Sequence, residues 1–262
     1  MKNEIKDSAL NHTKQPLSRF VVYVMIVLSG LLGGIGQTVL IFFLFFGSLT
    51  PVNLNLSETA GICLNICLCL AFFLQHSVMI RKSFRRWMER FISTCYHGAV
   101  FTIVTGIALV IIVVFWQKSS YIIAAPQGIL HWVVRIIALL AVAGTVWAFH
   151  SLNTFDPLGL NVLLCYLSGE NLPHTHIHYN GPYGWVRHPL YFFILLMIWA
   201  YPYLTADRLL FNVMFTLWIS IGTVLEERDL VADFGNVYQD YQNKVPRLLP
   251  RRIHPVRQTD IL

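Results

Sequence analysis

Charge is what this chain has least of. Only 12% of its 262 residues are Asp, Glu, Lys or Arg, while 56% are hydrophobic. A soluble domain carries about twice that share of charge, so a water-soluble enzyme of this length is excluded. Cysteine is also scarce. Cys63, Cys67 and Cys69 lie inside one apolar run, and Cys95 and Cys165 stand alone. None forms a zinc-type pair, which leaves reduced, buried thiols as their reading. The net charge of +6 is spread in a way that sets topology, and no nucleic-acid role follows from it. No cleavable signal is evident, because the first apolar run is too long for a signal-peptide core and lacks a cleavage motif. There is no internal repeat and no low-complexity tract.

What the chain has instead is long apolar runs, the mark of an integral membrane protein. Only helices or closed barrels satisfy their own backbone in lipid. These runs are continuous rather than alternating, so they are helices. Phe20–Phe46 is the first span, Ala60–Ile80 the second, Gly98–Trp116 the third and Leu130–His150 the fourth. Gly30 and Gly34 sit four apart in the first span, a spacing that lets another helix approach. Arg135 lies near the end of the fourth, where snorkelling accounts for it. Two shorter runs follow, Pro189–Tyr203 and Leu209–Leu225, joined by a turn at Leu204-Thr205-Ala206-Asp207-Arg208. The first of these is about 22 Å as a helix, short of the ~30 Å hydrocarbon core, so the pair reads as a tilted or partly re-entrant hairpin. Beyond it, Leu230, Val231, Phe234, Val237, Tyr238 and Tyr241 recur near a 3.6 period. That spacing makes an amphipathic helix, stopped at Pro246 and placed to fold back over the site as a lid. The expected fold is all-α and polytopic, with about six transmembrane or re-entrant helices and a C-terminal amphipathic helix. Its parts are a tail (1–19), a four-helix membrane region (20–153), a loop, hairpin and lid (154–250) and a basic tail (251–262).

Basic residues set the orientation. One side carries Lys2, Lys6, Lys14 and Arg19, then Arg81, Lys82, Arg85, Arg86 and Arg90, then Arg187, and finally Arg228, Lys244, Arg247, Arg251, Arg252 and Arg257. The other has Lys118 and Arg208. The positive-inside rule puts both termini and the Arg187 loop in the cytoplasm, in what reads as a bacterial inner membrane. The Arg81–Arg90 segment, with Phe84, Trp87 and Phe91 interleaved, reads as a piece lying against anionic headgroups.

The candidate site begins at Gly181-Pro182-Tyr183-Gly184-Trp185-Val186-Arg187-His188-Pro189-Leu190-Tyr191. It is a polar, aromatic loop running into an apolar helix, and Pro189 suits the first helical turn. Leu209–Leu225 ends on Glu226-Glu227-Arg228-Asp229. A helical hairpin brings its ends together, so Arg187 and His188 should lie near Glu226 and Glu227. Taken singly, the glutamates are solvated charges ending a span, His188 is a loop histidine, and Tyr183, Trp185 and Tyr191 are interfacial belt residues.

Together these residues resemble the isoprenylcysteine carboxyl methyltransferase and phospholipid methyltransferase superfamily. The resemblance rests on Arg187/His188/Pro189/Tyr191, Glu226-Glu227, and the flanking Gly181-Pro182-Tyr183, Phe234-Gly235, Tyr238, Tyr241 and Val245-Pro246. Upstream, Gln75-His76-Ser77-Val78-Met79, Arg81, Phe84, Trp87 and Phe115-Trp116-Gln117 resemble the bacterial methanethiol S-methyltransferases. The likeness then extends from Phe72 to Pro250. It departs at Phe193, where the family often has glycine, and a phenylalanine there should narrow the space near the cofactor.

The resemblance implies an S-adenosylmethionine-dependent methyltransferase. Its cofactor would be held by Tyr183, Arg187, His188, Tyr191, Glu226, Glu227, Tyr238 and Tyr241. Glutamates accept from ribose hydroxyls or the amino group, Arg187 binds the carboxylate, and aromatic faces tolerate a sulfonium. Catalysis falls to Arg187, whose charge lowers a thiol's pKa, and to His76, which could take the proton. A packed, hydrogen-bonded histidine is the competing reading of His76. The acceptor implied is a small thiol, methanethiol giving dimethyl sulfide. Prenylated cysteine and phospholipid headgroups also suit a membrane pocket, so the partners are a thiol or lipophilic acceptor and the bilayer. The rival reading is a non-catalytic metal- or haem-binding membrane protein built on His76, His131, His150 and the loop with His174, His176 and His178. Imidazoles at alternate positions could share a metal, but no carboxylate or cysteine completes that set nearby, so no metal site is assigned.

Overall fold

The computed structural model describes residues 18–152, 156–170, 181–251 and 256. Among them, five helices are long and apolar enough to cross a membrane. They are α1 (Arg19–Phe46), α2 (Glu58–Met79), the run Thr94–Phe115 with α4 (His97–Phe115) at its centre, α5 (Gly128–Ser151) and α8 (Ala206–Phe234). Shorter helices are α3 (Lys82–Met88), α6 (Asn161–Ser168), α7 (Pro189–Trp199) and α9 (Asn236–Lys244). Strands β1 (Ile122–Ala124) and β2 (Leu204–Thr205) pair antiparallel, Ile122 opposite Thr205 and Ala124 opposite Leu204. The chain divides into two compact units: residues 1–41, 70–114 and 156–173 in one, and 42–69, 115–155 and 174–262 in the other.

In the first unit, helices meet where side chains are smallest. A Cβ on Gly36 of α1 would overlap the backbone of Gly106 in α4, so both positions require glycine. A Cβ on Gly30 or Gly34, the pair that the four-residue spacing singles out, would meet nothing within 4 Å among the described residues. Gly34 and Gly36 share the regular helix that follows a π-helical turn at Ser29–Gly33, and two residues, about 200° of rotation, set them on opposite faces. Val22, Ala99 and Leu163 form the local core. Asp156 caps α6, accepting from Leu160 N at 2.8 Å and Asn161 N at 2.7 Å. His76 packs with Phe72 and Phe101, ring centres 5.5 and 4.9 Å away. On and just after α3 the rings of Phe84, Trp87 and Phe91 pack in series, tilted and then edge-on, beside exposed Arg81, Lys82, Arg85, Arg86 and Arg90.

The second unit departs from the sequence reading first in its hairpin. The hairpin arms are unequal. α7 stops at Trp199, whereas α8 runs without a break past Glu226 and Glu227 to Phe234. Glu and Arg are good helix formers, so a charged cluster ends the lipid span without ending the helix. The break comes at Gly235, with φ 58° and ψ −135°, and only then does α9 begin. The segment expected as one lid helix is therefore the last turns of α8 plus α9.

The second departure is at Asp207 and Arg208. The sequence reading places them in a turn, but they form the first turn of α8 and are 0% and 1% exposed. Asp207 accepts from Ser48 Oγ (2.8 Å), Trp116 Nε1 (2.9 Å) and Ser119 N (2.9 Å). Arg208 donates to the carbonyls of Phe43 (3.1 Å) and Leu44 (2.8 Å) at the end of α1, and lies over the rings of Phe43, Tyr201 and Phe211. Helix ends leave carbonyls without intrahelical partners, and a cation satisfies them well. Arg135 does the same for Phe45 O at 2.5 Å, so it caps a helix rather than snorkelling. Gln117 ties the neighbouring loop, exchanging backbone bonds with the Asn65 side chain and donating to Val52 O.

Phe193 has a local explanation. Its ring fills the hollow above Gly144 of α5, where a Cβ would collide with it. The large residue on α7 is matched by a glycine on the helix it packs against.

Candidate active site

The site forms where the loop before α7 meets the last turns of α8, around Glu226 and Glu227. Gly181–Gly184 make a single 3₁₀ turn with Pro182, Tyr183 and Gly184 buried. Pro189 then starts α7. Between the two, the backbone is held by the chain that follows α9: Arg187 N donates to Pro246 O at 2.9 Å, and His188 N to Arg247 O at 3.2 Å. Val256 N reaches Gly184 O at 3.0 Å. α9 itself docks through Tyr238, Tyr241 and Val245, packed with Leu230, Val231, Phe234 and Val256. The Tyr241 hydroxyl donates to Tyr183 O at 2.6 Å.

Neighbouring residues on a helix point about 100° apart, and Glu226 and Glu227 diverge accordingly. Glu227 turns inward. It accepts from Arg187 Nε at 2.7 Å and Nη2 at 3.0 Å, from Gln242 Nε2 at 3.2 Å, and contacts His188 Nε2 at 3.1 Å. Its side chain is 10% exposed, and that of Arg187 8%. Arg187 Nη1 continues to the carbonyls of Gln242, at 2.9 Å, and Val245. The bidentate pair is the strong form of a carboxylate–guanidinium contact. Here it joins the loop, α8 and α9 in one buried knot.

Glu226 turns outward, 46% exposed, with His188 Nδ1 at 3.8 Å. The Tyr191 hydroxyl hydrogen-bonds it, and Tyr183 lies beside it. Burial, and next the charge of Glu226, pushes the Tyr183 phenol above its ordinary value. Burial, then Glu227, does the same for Tyr238. Both therefore stay neutral donors across the physiological range.

The structure thus gathers Tyr183, Arg187, His188, Tyr191, Glu226, Glu227, Tyr238 and Tyr241 in one unit. His76 belongs to the other unit and is described with it. Gln242, absent from the sequence reading, contributes a side-chain donor and a carbonyl to the knot. Its one signal was its place after Tyr241 on the polar side of α9. Trp185, a belt residue by the sequence reading, buries its Nε1 with no hydrogen-bond partner among the described residues. His174, His176 and His178 lie outside the described residues. His131 and His150 stand at opposite ends of α5, about 28 Å apart along a helix, too far to share one haem. Among the described residues no group of three or more His, Cys, Asp or Glu could hold a metal ion.

Comparison with known proteins gives this arrangement relatives. The sequence pattern of the family described as NnrU protein matches residues 64–249. Methanethiol S-methyltransferase 2 of Bradyrhizobium diazoefficiens is 32% identical over 211 residues, which cover 80% of this chain and 80% of that protein. Methanethiol S-methyltransferase of Mycobacterium tuberculosis is 32% identical over 201 residues, 72% of this chain and 78% of that protein. Nurim of Rattus norvegicus is 26% identical over 192 residues, 66% of this chain and 70% of its own. No solved structure matches.

Proposed function

We propose that this chain, which belongs to the NnrU protein family, is a multi-pass membrane methyltransferase that methylates methanethiol to dimethyl sulfide at the expense of S-adenosylmethionine. The observation that carries the reading is the pairing of a saturated glutamate with an unsaturated one beside the Arg187–His188–Pro189 loop. Relatives named methanethiol S-methyltransferase, about one-third identical over most of both chains, support methanethiol as the acceptor.

The residues present fit the cofactor. Its amino group and ribose hydroxyls are donors, and Glu226 is a half-exposed carboxylate able to accept from them, with Tyr183 and Tyr191 orienting it. Its carboxylate is an acceptor, and the loop holds a buried indole N–H with no acceptor among the described residues. Bound there, S-adenosylmethionine supplies a methyl carbon on a sulfonium, open to in-line attack. The chain's own part is to orient and to exclude water. The Arg187–Glu227 knot fixes the loop against α8, and Tyr238 and Tyr241 seal it with α9. Arg187 acts in this reading through position and field, since its donors are largely committed to Glu227, Gln242 and Val245. His76 is the candidate base that the family resemblance names: His76→Ala should slow turnover and leave S-adenosylhomocysteine affinity intact, and unchanged turnover would remove it from the mechanism. The basic residues at this end, Arg228, Lys244, Arg247 and Arg251, support a cytoplasmic face for the site.

The test is purified protein in detergent or nanodiscs with S-adenosylmethionine and methanethiol, assayed for dimethyl sulfide by gas chromatography. Methylation of prenylcysteine or phosphatidylethanolamine, with none of methanethiol, would give the chain a lipophilic acceptor instead.

A further inference from the structure

Trp185 stands in the loop between Tyr183 and Arg187. Its indole packs edge-on against Trp147 of α5, ring centres 5.4 Å apart and planes at 81°. Its Nε1 is buried and has no hydrogen-bond partner among the described residues. A buried donor left unpaired is costly, and native proteins keep few of them except where a ligand or a water completes the bond.

The surroundings hold this donor in place rather than satisfy it. Gly181 has φ +62°, and a Cβ there would come within 2.9 Å of Ser151 Oγ and 3.5 Å of Trp147 Nε1. Glycine at this position therefore lets the loop backbone lie directly on the end of α5. Ser151 Oγ is occupied in donating to Trp147 O at 2.9 Å. Arg187, the cation of the same loop, is engaged with Glu227 and with the carbonyls of Gln242 and Val245. An anionic group arriving at the loop meets a committed guanidinium and an uncommitted indole N–H.

Resting on the cofactor reading above, we propose that Trp185 Nε1–H donates to the carboxylate of the bound S-adenosyl ligand. Trp147 holds the indole edge-on for that bond. Trp185 then makes the site selective for S-adenosyl compounds that keep their carboxylate, while Glu226 takes the amino group or the ribose hydroxyls. This division also explains why the loop can commit its arginine to structure.

The experiment compares two ligands on two proteins by calorimetry. S-adenosylhomocysteine has the carboxylate; its decarboxylated analogue keeps the sulfur, the amine and the nucleoside but lacks it. Trp185→Phe keeps an aromatic ring and removes the N–H together with the pyrrole half of the indole, so the decarboxylated analogue is the control for lost packing. The variant should bind S-adenosylhomocysteine roughly tenfold more weakly and bind the decarboxylated analogue as wild type does. Equal loss for both ligands would make Trp185 a packing residue, and no loss for either would leave its N–H outside the site; each overturns the proposal while leaving the cofactor reading standing. Wild-type protein that binds neither ligand would overturn both. Should Trp185→Phe fail to fold, the wild-type indole ¹⁵N–H resonance of Trp185 carries the test. It should shift with S-adenosylhomocysteine and not with the decarboxylated analogue, and the same response to both would count against the proposal.

Discussion

Asp207 and Arg208 open α8, and Glu226 and Glu227 lie two turns before its end; both are adjacent charged pairs on one membrane helix. At the first end every strong group is turned to protein: Asp207 takes three donors, Arg208 two carbonyls and three rings, and both are sealed from solvent. At the other end the pair divides. Glu227 is saturated like Asp207, while Glu226 stays 46% exposed beside phenols. A charge in a membrane helix is thus not by itself a sign of function. The telling feature is a charged group held in place by its neighbours yet not consumed by them.

Removing Asp207 should break this comparison most severely on the side of stability. Asp207→Ala leaves Ser48, Trp116 and Ser119 N as unpaired donors, and about 3–5 kcal/mol is the usual cost of taking one partner from a buried charged cluster. Detergent-phase thermal unfolding should show a large drop, with S-adenosylhomocysteine affinity retained in the protein that remains folded. Arg187→Lys should cost less, about 1.5–3 kcal/mol, because an ammonium cannot serve Glu227 as a fork while also capping Gln242 and Val245. It should lower both melting temperature and ligand affinity, and a double-mutant cycle with Glu227→Gln should show coupling. Independent, additive losses would mean that the knot is not a unit. The smallest effect is one of pH. Burial raises the phenols of Tyr183 and Tyr238, so both states keep them neutral up to the ordinary phenol value of about 10. Above it the unfolded chain ionises first and stability falls. Ligand affinity and melting temperature should therefore carry no phenol titration between pH 7 and 9, and a midpoint in that window would place an ionised tyrosine in the site.

Much of this was legible in the chain. Continuous apolar runs gave the helices, and the meeting of Arg187 and His188 with Glu226 and Glu227 followed from a hairpin. What escaped depended on partners distant in sequence. Arg208 looks like a loop cation until the carbonyls ending α1 are set against it. Glu226 looks like a helix end because polarity marks the lipid boundary, but backbone geometry breaks only at Gly235. The Gly30–Gly34 spacing misleads because the close approach is made by Gly36, on the opposite face of the same helix from Gly34. Phe193 looks like an obstruction until Gly144 is found beneath its ring. The unequal fates of two adjacent glutamates could not be read from their letters, since only the third dimension decides which one meets Arg187.

The division between those glutamates is the central claim, and paired calorimetry with thermal unfolding of Glu226→Gln and Glu227→Gln tests it most directly. Glu226→Gln should bind S-adenosylhomocysteine roughly tenfold to a hundredfold more weakly while melting like wild type. Glu227→Gln should melt lower, its loss of affinity following from a loosened loop. Wild-type affinity in Glu226→Gln, or an equal fall in melting temperature for both variants, would contradict the account.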